Sequence, residues 1–125
     1  TSSVQVIEMS KTMCKGSCPV YTIKIFDDGK VQLEGKSNLE FIGSYTGSVS
    51  KKQLSALIDE FKKIDFFNLQ SEYKGKITDL PTTYLTFTDG NQSKKIKDNY
   101  GAPEELKSLE KQIAGLLDSV SWSKK

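Results

Sequence analysis

Histidine and arginine are absent from this chain, and cysteine, methionine and tryptophan are scarce, at two, two and one. Each gap closes off some chemistry. Without histidine there is neither the commonest general base nor the commonest transition-metal ligand. Without arginine there are no guanidinium forks for phosphate or guanine, so nucleic acid is not an expected partner. A lysine-biased genome would explain the missing arginines equally well. All 18 basic residues are lysines, scattered among 16 acids for a net charge of +2. Long apolar runs are missing too: stretches such as Ile64 to Phe67 are broken by charge and too short to span a bilayer. No nucleophile elbow, phosphate loop or paired-histidine zinc motif occurs, so a catalytic role is not the expectation and no cofactor is implied.

What remains suits one globular domain over residues 1–125. Apolar residues at 36% and charged residues at 27% are ordinary for such a domain. The chain opens on Thr1-Ser2-Ser3, without an initiator methionine or an apolar leader. This reads as a mature chain freed of its leader, although a shortened cytosolic chain would look the same. Membrane contact is expected only through a lipid anchor outside this sequence.

The first half reads as strands. Val4 to Met9 is β-prone, with a change of phase near Val6-Ile7 that predicts a bulge. Val20 to Phe26 alternates, Tyr21, Ile23 and Ile25 sharing one face. Asp27-Asp28-Gly29 predicts a hairpin turn, with Val31 and Leu33 on the return strand. A further strand is expected at Phe41 to Thr46. Ser50 and Gln53 form a capping box, Val49 and Leu54 a hydrophobic staple, and Leu54, Leu57, Ile58, Phe61 and Ile64 a helical stripe. Thr82 to Thr88 then reads as a strand, Asp89-Gly90 as a turn, and Ser93 to Asp98 as a lysine-rich strand at a sheet edge. The last helix is expected to start at Pro103 with Glu104 and Glu105 in its first turn. Its stripe is Leu106, Leu109, Ile113, Leu116, Leu117 and Val120. The order β-β-β-β-α-β-β-α predicts an α+β fold: an antiparallel sheet of five to six strands with two helices on one face.

Cys14 and Cys18 stand out, in the run Met13-Cys14-Lys15-Gly16-Ser17-Cys18-Pro19-Val20-Tyr21. Gly16 permits a tight reversal and Pro19 fixes φ as the next strand begins. A disulfide is the leading reading, since two close cysteines with none left over suit an oxidising compartment. Closing so short a loop contributes on the order of 2 kcal/mol. A redox pair is an alternative, but Pro19 leads into a strand and Lys15 alone activates a thiolate weakly. Cu(I) held by both thiolates with Met13 or Met9 is another. Zinc lacks its remaining ligands, and two idle thiols complete the set.

Other candidates have bland readings. Asp27-Asp28 could meet a hard cation, yet acids beside glycine are usually turn formers. Asp79 with Thr82 and Thr83 could line a pocket; the simpler role for Asp79 is capping the turn into the strand. The five tyrosines could furnish a binding face, but most fit half-buried sheet positions.

The run Cys14-x-Gly16-x-Cys18-Pro19-x-Tyr21, followed by Asp28-Gly29 and Gly35, resembles the opening signature of an uncharacterised bacterial family, a domain of unknown function. The resemblance continues through Gly43, the helix from Ser50, Phe66-Phe67, Asp79-x-Pro81-Thr82 and Gly101-x-Pro103. It implies export, with lipoproteins among the members, and an α+β fold; it implies no activity. The functional expectation is a non-catalytic periplasmic or surface module that binds a protein or small ligand on the open face of its sheet. Cys14 and Cys18 staple it, and Gly16, Pro19, Tyr21, Asp79, Thr82 and Thr83 mark a functional surface. The alternative is a thiol redox or Cu(I)-handling protein.

Overall fold

A computed structural model describes residues 4–12, 18–39, 41–73 and 82–124. Four strands, β1 (Gln5–Lys11), β2 (Val20–Phe26), β3 (Lys30–Ser37) and β4 (Gly43–Ser48), form an antiparallel meander. Helix α1 (Lys51–Lys63) follows, then a 3-10 turn at Phe66–Asn68 and a two-residue strand, β5 (Glu72–Tyr73). The hairpin β6 (Thr83–Asp89) and β7 (Gln92–Asp98) precedes α2 (Glu104–Ala114), the single turn α3 (Leu116–Ser119) and a second two-residue strand, β8 (Ser123–Lys124). Among the described residues these strands make one sheet in the order β5-β7-β6-β1-β2-β3-β4-β8. No helix among them is long and apolar enough to cross a membrane.

Local chemistry explains the elements that the sequence announces. Gly29 takes φ 90° in the β2–β3 turn, where Lys30 N donates to Asp28 Oδ1 at 3.0 Å and Val4 N to Asp27 Oδ1 at 3.1 Å. The two aspartates are turn formers. Ser50 Oγ accepts from Gln53 N at 3.1 Å while Gln53 Oε1 accepts from Ser50 N at 3.1 Å, closing the capping box of α1. The predicted bulge in β1 is present as a register shift between Gln5 and Ile7.

Register then decides the core. Ile7, Ile25 and Val31 lie side by side, as do Leu85, Met9, Ile23 and Leu33 one pleat on; all are buried. Leu54, Leu57 and Phe61 of α1 and Leu106, Leu109 and Ile113 of α2 close over this face. Phe61 stacks on Phe87 with ring centroids 4.4 Å apart, which fixes α1 above β6. The opposite face carries Glu8, Ser10, Thr22, Lys24 and Gln32.

Four expectations need correction. The sheet has eight strands among the described residues, not five or six, because β5 and β8 add two residues each, and β5 runs parallel to β7. That addition covers part of the expected edge strand: Lys97 N donates to Ser71 O at 2.9 Å and Asn99 N to Tyr73 O at 2.7 Å. The fourth strand starts at Gly43, after Phe41 and Ile42 have crossed the end of β3. The last helix breaks at Gly115, and Pro103 is its N-cap, with Val120 already extended. Val120 reaches back onto Gly47, where a Cβ would collide with its Cγ1.

Candidate functional site

One end of the sheet gathers charge on its inward face. Lys11 pairs with Tyr21 on one side and Thr83 on the other, and Thr83 pairs with Asp98, so Tyr21, Lys11, Thr83 and Asp98 form a row across β2, β1, β6 and β7. Gly35 extends the row on β3. There the Phe41 carbonyl occupies the space a Cβ would need. Helix α2 lies over the other end of the row and lowers Glu110 towards Asp98. A cleft of about 410 Å³ opens between them, with Lys11, Asn99, Tyr100, Lys107 and Lys111 around it.

Both acids are deeply buried, Asp98 at 2% exposure and Glu110 at 5%. A charge so placed needs a partner. Lys107 Nζ lies 3.3 Å from Asp98 Oδ2 and makes a long contact of 3.5 Å to Oδ1. Even so, neither Asp98 Oδ2 nor Glu110 Oε2 makes a well-formed hydrogen bond. A single proton on Glu110 supplies one, because a carboxylic acid can donate to the neighbouring carboxylate. Burial pushes the Glu110 carboxyl up to about 8, helped by its hydrogen bond to Asp98 and by the Asp98 charge, against the opposing pull of Lys107 and Lys11. At neutral pH the pair is therefore one carboxylate and one acid. Burial also holds the Tyr21 phenol up at about 12, so it stays neutral.

A hydrogen-bonded tie joins this end to Thr12, which precedes the run that holds the cysteines. Thr12 N donates to Thr82 O at 3.0 Å, Thr82 N to Thr12 Oγ1 at 2.9 Å, and Asn99 Nδ2 to Thr82 Oγ1 at 3.2 Å. Among the residues expected to mark a functional surface, the structure thus brings Tyr21, Thr82 and Thr83 to one end of the sheet. Pro19 is exposed nearby. Cys18 is half-buried, its carbonyl accepts from Asn38 Nδ2 at 3.1 Å, and it is not a free thiol. Cys14, Gly16 and Asp79 lie outside the described residues, as do Met13 and Pro81.

The sequence reading missed Asp98, Glu110, Lys107 and Lys11. A signal existed for both acids. Asp98 follows Ile96 by two positions and so shares its inward face, and Glu110 sits four positions after Leu106 and three before Ile113, on the apolar stripe.

Chemically, the cleft can hold a proton or accept hydrogen bonds at its floor, and can attract negative charge at its rim. Among the described residues no three metal-ligating side chains come together. A roomier depression of about 710 Å³, between β3, β4 and the C-terminal segment, is lined by hydroxyls and backbone with Lys30 and no acid.

The profile of a family described as a domain of unknown function, DUF6438, matches residues 5–117, and the chain belongs to that family. No curated protein and no solved structure matches the chain.

Proposed function

We propose that this member of the family is a non-catalytic exported binding module that holds a small ligand in the cleft over Asp98 and Glu110. The observation that carries the reading is the pair of buried acids, Asp98 and Glu110, at the floor of a cleft with lysines around it. The open outer face, where contacts were expected, supports a site less well, because several of its polar groups are paired with one another. Ser10 and Thr22 hydroxyls lie 2.6 Å apart, Ser44 Oγ donates to Glu34 at 2.6 Å, and Gln5 Nε2 to Glu8 at 3.2 Å.

Export and a Cys14–Cys18 staple are part of the same reading. Support comes from the spacing of the two cysteines and from the fact that no described cysteine is free. The alternative, redox or Cu(I) chemistry, would act through the reduced thiolates.

Two measurements test the proposal. In a fragment screen read by amide NMR, hits should move Lys11, Thr83, Asn99 and the Lys107–Lys111 turn together. Hits confined to Glu8, Thr22 and Lys24 would move the site to the outer face and refute the reading. Intact mass under non-reducing conditions should fall short of the reduced chain by two hydrogens; an unchanged mass removes the staple.

A further inference from the structure

We propose that the ligand of this cleft is a small hydroxylated carboxylate of the sugar-acid kind, bound with hydroxyls on the acid pair and its carboxylate among the lysines. The inference rests on the reading of the cleft as a binding site, and it follows from charge, donor type and size.

Charge comes first. Lys11, Lys107 and Lys111 bring three positive charges to the cleft, and the acid pair sharing one proton brings one negative charge. The excess is positive, so an anion is attracted and an ammonium would be a fourth cation among three. A bare phosphate or simple carboxylate satisfies the rim but not the floor, where the negative acid pair repels it. What the floor offers is a carboxylate, a shared proton and no further cation. A ligand hydroxyl can donate to the acid pair without adding charge, and Glu110 can then turn its own proton towards a ligand oxygen.

Thr83 beside the acids adds a hydroxyl that can give or accept. Tyr100, 53% exposed at the rim, presents a ring to the C–H face of a saturated sugar ring. The volume, about 410 Å³, lies at the small end of the roughly 300–1,000 Å³ found for ligand pockets, which suits one sugar ring and not a chain.

The test uses the whole chain, isotope-labelled, near pH 6.5, titrated separately with D-glucuronate, D-glucose, acetate and ethanolamine. D-glucuronate is expected to move the amides of Lys11, Asn99 and Lys107 to Lys111 saturably, and to bind at least about tenfold more tightly than glucose or acetate. Lys111→Ala, an exposed change that leaves the fold intact, should weaken D-glucuronate by about three- to tenfold and leave glucose unaffected. Lys107→Met should weaken it further. Equal binding of acetate and D-glucuronate, or tighter binding of glucose or ethanolamine, would overturn the ligand class while leaving the site standing. If none of the four probes moves the cleft amides, the class falls. If the fragment screen also leaves them still, the site falls with it.

Discussion

Replacing Glu110 by glutamine should make folding stability insensitive to pH where the native chain is sensitive. The glutamine amide has the size of the acid and can donate to Asp98 Oδ2, as the protonated carboxyl does. In the unfolded chain Glu110 titrates near 4.5, and in the folded chain its carboxyl is pushed up to about 8. Between those values the folded state holds a proton that the unfolded state has released. Stability from this group is therefore complete below pH 4.5, falls as pH rises, and is gone once pH passes 8. At about 1.36 kcal/mol per pH unit the whole displacement is worth at most ~5 kcal/mol. Local relaxation and solvent reaching an ionised pair reduce this to an expected ~2–3 kcal/mol. Against a typical total of roughly 5–15 kcal/mol that is easily measured. Urea unfolding followed by circular dichroism at half-unit steps from pH 5 to 9 is the assay. The native chain should lose stability across that range, and Glu110→Gln should follow a flatter line that lies increasingly above it, with the gap complete by about pH 8. Parallel profiles for the two chains would show that the acids do not share a proton in the fold.

Three further outcomes follow from the packing. Gly35→Ala puts a methyl into the Phe41 carbonyl and should destabilise by about 2 kcal/mol or more in the same urea assay, through displacement of the crossing segment. Ser50→Ala removes one half of the capping box of α1 and should cost about 1 kcal/mol, whereas Ser50→Asp should restore most of it. Phe61→Ala empties the stack between α1 and β6 and should cost about 3–5 kcal/mol, enough to leave little folded protein at elevated temperature.

The parts of the fold that were legible in the sequence are those fixed by neighbours in the chain. Asp27 to Gly29 encode a turn whatever lies elsewhere, and Ser50 with Gln53 encode a helix start. The parts that were not legible depend on residues far away. Glu72-Tyr73 and Ser123-Lys124 become strands only because β7 and β4 offer them unpaired backbone. Gly115 sits within an unbroken apolar stripe, so periodicity alone runs the helix through it; the chain ends the helix there and sends Val120 onto Gly47. The same bias hid the cleft. A lysine-rich strand and a charged helix suggest solvated faces, and it takes residue parity to see that Asp98 follows Ile96 inward and that Glu110 belongs to the stripe. Cysteine drew attention to one end of the sheet, and the neighbouring chemistry at that end is carboxylate.

The first strand of the chain is an interior strand of the sheet, flanked by β2 and β6. Its partner β2 arrives next in synthesis, but β6 is separated from it by most of the chain. Until residues 83 to 89 exist, one long edge of β1 stays bare, and Leu85 and Phe87 are missing from beside Met9 and Ile7. Such distant pairing slows folding. It also makes the N-terminal strand a seam: cutting it out would not trim the molecule but part it into a meander and a hairpin, each with half a core.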